Sequence, residues 1–167
     1  MLSTITTYRL LLDPLISNDA EFIYRLVNSA GWLKYIGDRK INSLEDAAAY
    51  IKRICSNSKV TYWVVKLKEN GNAIGIVTFI KRDYLDYPDI GFAFLPEFAN
   101  QGYAFEATKK VLDILTGAGQ KQILATTIPG NTNSIRLLEK LGLRLDKEIE
   151  VEAERLQVYK MTVADQT

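Results

Sequence analysis

The spacing of apolar positions changes several times along the chain, and each change marks an element. Tyr8 to Leu12 is a short apolar run closed by Asp13-Pro14 and predicts a strand. From Asn18 to Ser29 the apolar residues Phe22, Ile23, Leu26 and Val27 recur at helical spacing, and Asn18 with Glu21 has the spacing of a capping box. Ser43 to Ser56 predicts a second helix, with Leu44, Ala47, Ala48, Ile51, Ile54 and Cys55 as its stripe and Ser43 at its cap. The period then shortens. Thr61 to Leu67 and Ala73 to Ile80 are rich in β-branched and aromatic residues, and Asn70-Gly71 between them suits a type I′ hairpin. Asp89 to Leu95 predicts a further strand, stopped by Pro96. Ala104 to Thr116 predicts a helix with Ala104, Ala107, Val111, Ile114 and Leu115 on one face, closed by Gly117 and Gly119. Gln122 to Ile128 follows as a strand and Thr132 to Leu141 as a helix ended by Gly142. Leu143 to Val151 and Arg155 to Val163 complete the set as strands.

The resulting order, β-α-α-β-β-β-α-β-α-β-β, fits neither a doubly wound fold nor a segregation of strands from helices. It predicts a mixed sheet with helices on both faces. The 167 residues carry no repeat, low-complexity tract or linker, so one domain over 1–167 is expected.

Composition narrows the chemistry. Charges nearly cancel, with 21 Lys+Arg against 20 Asp+Glu and no basic block, so no nucleic-acid partner is expected. No apolar run approaches the ~18 to 20 residues of a membrane span, so no membrane partner is expected either. The first residues lack a signal-peptide pattern, and a cytoplasmic location is expected. The chain has no histidine, which removes histidine bases, Ser-His-Asp and Cys-His systems and the usual zinc sets; no metal site is expected. The single cysteine, Cys55, excludes an internal disulfide and is expected to be a small buried hydrophobe. Any chemistry falls to carboxylates, hydroxyls, amines and backbone groups.

The segment Phe94-Leu95-Pro96-Glu97-Phe98-Ala99-Asn100-Gln101-Gly102-Tyr103-Ala104 joins a strand to a helix. A helix start offers unpaired N–H groups and a positive dipole end, and Gly102 lets a phosphate approach the backbone. An ordinary turn has the same look. No Walker-type Gly-x-x-x-x-Gly-Lys-[Ser/Thr] and no Gly-x-Gly-x-x-Gly occurs, and Gly117-Ala118-Gly119 reads as a helix stop.

Taken together the segments resemble the GNAT superfamily of N-acetyltransferases, whose cofactor loop Gln/Arg-x-x-Gly-x-Gly/Ala aligns with Ala99 to Ala104. The branch most similar is that of the ribosomal-protein (Rim-type) N-terminal acetyltransferases. Its Thr-x-Arg-Leu-x-Leu opening matches Thr7 to Leu12, and its acidic-Ile-Gly-aromatic strand matches Asp89 to Phe92. Its Gly-Tyr-Ala-x-Glu-Ala matches Gly102 to Ala107, and its Asn-x-x-Ser-x-x-x-Leu-Glu-Lys-Leu-Gly matches Asn131 to Gly142. The resemblance implies an α/β (α+β mixed) fold with a mostly antiparallel central sheet of about seven strands. It implies acetyl-CoA as co-substrate, with Phe94, Leu95, Asn100, Gln101, Gly102, Tyr103, Ala104 and Asn131 as cofactor-binding residues. Three departures stand out: Ala99 replaces the usual Gln or Arg, Leu138 stands where other members carry a tyrosine general acid, and Asp13 replaces an arginine.

The implied reaction is direct attack of an amine on the acetyl thioester, without a covalent enzyme intermediate. An α-amine has a pKa of ~7.7 to 8.0 and a lysine amine ~10.4, so neutralising them at pH 7 costs about 1.4 and about 4.6 kcal/mol. Without a histidine base the first is favoured, which points to a protein or peptide N-terminus as acceptor. Asp89 is the candidate base, against the reading of a solvated strand-start aspartate; Glu97 is a rival. Ser134 is either the general acid or a helix-cap residue, and Asn131 either a pantetheine contact or a cap. The oxyanion donor is expected to be a backbone N–H near Phe94. Trp32, Tyr35, Tyr84 and Tyr87 are candidates for the acceptor side. A drug or polyamine acetyltransferase is the alternative enzyme, kept open by Asp83, Asp86 and Asp89, and a non-catalytic coenzyme A-binding module is the alternative of another class. Monomer and homodimer are both compatible with the sequence.

Overall fold

The computed structural model describes residues 3–164. β1 (Ile5–Thr6) and β2 (Leu10–Pro14) lead to α1 (Ala20–Val27), α2 (Ala30–Tyr35) and α3 (Leu44–Cys55). β3 (Val60–Leu67), β4 (Ala73–Ile80) and β5 (Asp89–Phe94) follow, then α4 (Tyr103–Gly117), β6 (Gln122–Thr127), α5 (Thr132–Lys140), β7 (Arg144–Val151) and β8 (Glu154–Thr162). The described residues form one sheet of eight strands in the order β1-β2-β3-β4-β5-β6-β8-β7. Every pairing is antiparallel except β5 with β6. The mixed sheet with helices on both faces stands, with one strand more than the seven expected. Ile5–Thr6 is too short to read from a pattern; it pairs with Leu11–Leu12 at the edge. There Asp13 accepts from Thr4 Oγ1 at 2.6 Å and pairs with Lys66 Nζ at 3.0 Å, which gives this departure from the family pattern an edge-fastening role.

Strand alternation builds two cores. Trp63, Val65 and Leu67 face α4 and α5, where Ala107, Val111, Leu112, Leu138 and Leu141 cover them. Val64 and Ile76 face the opposite side, against Phe22, Ile23, Leu26, Ala47 and Ile51 of α1 and α3. Leu10, Leu12, Ile23, Leu26 and Ile74 are fully buried, each supplying about 1.5–3 kcal/mol of apolar burial.

Local details differ from the pattern reading. Asn18 and Glu21 make no capping box: a short 3-10 turn (Ser17–Asp19) precedes α1, and Asp19 Oδ2 accepts from Ile16 N–H instead. Ser43 does cap α3, accepting from Asp46 N–H at 3.0 Å. On α4 the buried stripe is Ala107, Thr108, Val111 and Leu112, and Ile114 faces solvent. Leu44 on α3 is also exposed, and so is Cys55, because α3 ends there and leaves the thiol at the rim. At Asn70-Gly71 only Gly71 has positive φ (75°), in a loop closed by Gly71 N–H to Leu67 O, so the expected type I′ turn is absent. Such a turn needs two residues at positive φ, and Glu152 (51°) and Ala153 (66°) supply them between β7 and β8. α2 was also unread, being only six residues long.

Candidate active site

The site begins with a fault in the sheet. β5 and β6 run parallel, yet among the described residues they pair only at Asp89↔Leu124, with Leu124 N–H donating to Pro88 O at 2.9 Å. Beyond that point the strands part. Leu95 N–H donates to Ile74 O, and antiparallel alternation then turns the N–H groups of Phe94 and Phe92 away from β4 and toward the gap. Gly91, Phe92, Ala93 and Phe94 are all half-buried although they lie in the middle of the sheet. An open wedge lined by free backbone donors is the result.

The C-terminal end of β5 runs into the glycine loop. Gly102 caps α4 with φ +82°, and Asn100 precedes it at +59°. Among the described residues no acceptor meets the N–H groups from Asn100 to Phe105; the first helical bond is Glu106 N–H to Gly102 O. These donors converge at the positive end of a 15-residue helix, which suits an anionic pyrophosphate. Gln101 turns its side chain back to Glu97 O at 3.1 Å, so the cradle consists of backbone. Glu97 itself is exposed and paired with Arg25 at 2.8 Å.

A network from the N-terminal strands holds this loop. Glu106 accepts from Thr7 Oγ1, from Arg9 N–H and from Arg9 Nε, each at 2.7 Å. Arg9 Nη1 donates to Gln101 O at 2.9 Å, and the guanidinium lies 4.3 Å from the Tyr103 ring centroid. Burial pushes the Glu106 carboxyl up, but the bonds from Thr7 and Arg9 and the Arg9 charge outweigh it and hold the pKa below the usual value. The two matching motifs Thr7–Leu12 and Gly102–Ala107 thus form one structure. Their contact spans 97 residues and so has no signal in local pattern.

At the other end of the wedge stands Asp89, 2% exposed, its Oδ2 bound by Arg82 Nε at 2.7 Å. Burial raises its pKa, and the Arg82 charge and hydrogen bond oppose this without overcoming it. Asp89 is therefore not a solvated strand-start aspartate. Tyr62 lies on the same face and shares a 3.3 Å hydroxyl contact with Tyr50. Neither Arg82 nor Tyr62 carries a local sequence signal, because the connection from Arg82 to Pro88 has no regular element whose period would predict the contact with Asp89.

At the start of α5, Asn131 Oδ1 accepts from Ser134 N–H at 3.3 Å. Asn131 is thus the helix cap, and the half-buried Ser134 hydroxyl has no partner among the described residues. Leu138 is 1% exposed and belongs to the core. The aromatic candidates divide. Tyr84 and Tyr87 are exposed, Tyr87 beneath Lys160 at 5.8 Å, and Tyr35 is half-buried beneath Lys34 at 4.9 Å. Trp32 is 5% exposed and packs into the α1–α3 core, because α2 turns its ring inward; it presents no open face to an acceptor. Among the described residues no helix is long and apolar enough to cross a membrane.

Comparison with known proteins places this geometry. The acetyltransferase (GNAT) domain family matches residues 9–144. The uncharacterized N-acetyltransferase YnaD of Bacillus subtilis (strain 168) is 30% identical over 141 residues, covering 84% of this chain and 82% of its own. An acetyltransferase (GNAT family) from Bacillus anthracis superposes with a TM-score of 0.80 at 25% identity, covering 96% of this chain and 98% of that one. RimL, a ribosomal L7/L12 alpha-N-protein acetyltransferase solved with coenzyme A, reaches 0.83 at 12% identity over 96% and 98%, a likeness of fold.

Proposed function

The chain belongs to the GNAT acetyltransferase family, and from that premise we propose that it acetylates a protein or peptide N-terminal α-amine, the kind of acceptor named for its structural neighbour RimL. It is an acyltransferase enzyme that uses acetyl-CoA as co-substrate. The wedge between β5 and β6, with a backbone phosphate cradle at one end and Asp89 at the other, supports acetyl transfer, and the absence of histidine, which favours an amine of low pKa, supports the finer reading.

Acetyl-CoA would supply an activated acetyl thioester when bound. The N–H groups from Asn100 to Phe105 hold its pyrophosphate, and Phe94 and Leu95 line its path along β5. Ala99 offers no side-chain contact, so the grip rests on backbone donors. The Phe94 or Phe92 N–H stabilises charge developing on the acetyl oxygen. Asp89 takes the proton of the acceptor ammonium, directly or through one water; its raised pKa makes it a stronger base than an exposed aspartate. Ser134 Oγ, free of protein partners among the described residues, relays to the departing sulfur the second proton, which the attacking nitrogen loses as the amide forms, and ends protonated as it began. Leu138 cannot fill that role. Tyr35 and Tyr84 flank the acceptor.

Two of the three acidic residues that would draw a polyamine are paired, Asp89 with Arg82 and Asp83 with Lys59 at 3.6 Å, which leaves Asp86 alone to favour that acceptor. Thiol release from acetyl-CoA, measured with matched peptides offering only an α-amine or only a lysine amine, tests the reading. Faster turnover of the α-amine is expected. A clear lysine preference overturns it.

A further inference from the structure

We propose that the acceptor amine carries a carboxylate within a few bonds of its nitrogen, and that the Arg82 guanidinium binds that carboxylate while Asp89 receives the amine. This rests on the acetyl-transfer reading above and sharpens its substrate class.

The geometry begins with the sharing of Arg82. A guanidinium presents five N–H donors in a planar fork, and a carboxylate can occupy two of them at once. Only Nε is engaged, by Asp89 Oδ2 at 2.7 Å. Among the described residues neither Nη1 nor Nη2 has an acceptor, and Asp89 Oδ1 has no donor. The arginine side chain is 36% exposed and the aspartate side chain 3%, so the free fork lies outward of the buried carboxylate. An ammonium at Asp89 with an anion on Arg82 would complete both partial pairs with opposite charges.

The surroundings add positive charge. Arg39 lies 5.9 Å from the Trp32 ring and has no carboxylate partner among the described residues. Both Arg39 and Arg82 act electrostatically on Tyr62, whose phenol sits on the same sheet face. Arg82 is thus the guanidinium paired with the buried Asp89 carboxylate, and Arg39 adds a second positive charge near Tyr62. The sheet beneath is kept low: a Cβ on Gly91 would lie 2.6 Å from Thr78 Oγ1, so only glycine fits between Thr78 and the wedge. A cation-rich acceptor meets repulsion here, and an anion-bearing amine does not.

The carboxylate has two possible sources, an acidic N-terminal side chain or the α-carboxylate of a free amino acid. Steady-state kcat/KM with acetyl-CoA distinguishes them through two matched pairs: Asp-Ala-Ala-amide against Asn-Ala-Ala-amide, and alanine against alaninamide. Each pair is measured in wild type, Arg82→Lys and Arg82→Gln. The wild-type to variant change in each pair's ratio cancels intrinsic amine basicity and any general loss from disturbing Asp89. The expected result is a drop of about ten- to a hundredfold in the carboxylate preference of one pair in Arg82→Gln, the range of a lost hydrogen bond to a charged group. Arg82→Lys should keep part of the preference. A response in the peptide pair assigns the side-chain source, and one in the free pair the α-carboxylate. Ratios that Arg82→Gln leaves unchanged in both pairs overturn the proposal. Calorimetric binding of coenzyme A checks that each variant is folded; if Arg82→Gln does not bind it, the wild-type to Arg82→Lys comparison decides, and unchanged ratios there overturn the proposal. Coenzyme A binding without turnover of any amine by wild type would sink the acetyl-transfer reading itself, whereas turnover with flat ratios sinks only this inference.

Discussion

Removing Glu106 should destabilise the protein by an amount that depends on how its charge is removed. The carboxylate accepts three bonds at 2.7 Å and joins the N-terminal strands to the first turn of α4. Its side chain is 18% exposed, but Arg9 is 37% exposed, so solvent screens the ion pair to ~1 kcal/mol or less. The Thr7 hydroxyl and the Arg9 N–H are partly buried, and stranding them costs about 1 kcal/mol each. Glu106→Ala should therefore lose about 2–3 kcal/mol, and Glu106→Gln, which keeps a carbonyl acceptor, about 1. At roughly 2–4 °C per kcal/mol for a chain this long, Tm should fall by about 5–10 °C and 2–4 °C respectively. The pH dependence gives a second check. Glu106 has its folded pKa held below the usual 4.5, so its stabilisation is present above the unfolded value and is lost as pH falls through the folded one. The gap between wild type and Glu106→Gln should be flat near neutrality and close below about pH 4.5. Calorimetry from pH 7 downward measures both. A Glu106→Ala protein melting within about 1 °C of wild type, or a gap that widens in acid, would refute the reasoning. Because Arg9 also holds Gln101 O, the Ala variant should weaken coenzyme A binding about three- to tenfold.

The backbone cradle predicts an asymmetry between neighbours. Gly102→Val forces a β-branched residue to φ +82° with its Cβ 3.2 Å from Arg9 Nη2, and should weaken coenzyme A binding at least about tenfold. Gln101→Ala loses only an exposed bond to Glu97 O and should change affinity less than about twofold; equal effects in a titration would count against the cradle. Asp89→Asn should lower kcat/KM and remove the acid limb of its pH profile. In wild type that limb should lie above the ordinary value of 3.8, because burial raises the carboxyl pKa. An unchanged profile in the Asn variant would exclude Asp89 as the base.

Some of this protein was written in local pattern. Helical spacing at Phe22, Ile23, Leu26 and Val27 found α1, and the break at Pro96 found the end of β5, because both depend on near neighbours. The order of elements was enough to require a mixed sheet. Gly102 ahead of a helix marked the left-handed turn at the start of α4, since a left-handed cap is a property of one residue and its turn. Where the reading failed, distance in sequence was the cause. Trp32 looked like a surface aromatic until α2 turned it into the core, and Ile114 looked buried until α4 docked on its other side.

The site shows the same division. Sequence determined the absence of histidine, the loop, and a carboxylate at residue 89, which together limited the chemistry to carboxylates, hydroxyls, amines and backbone groups. Only the tertiary structure decided that β5 and β6 separate after one pair, that Glu106 meets Arg9, and that Asp89 is buried against Arg82. Periodicity reports which face of an element is apolar. It cannot report which partner that face meets, and the energy of a buried charge depends on that partner.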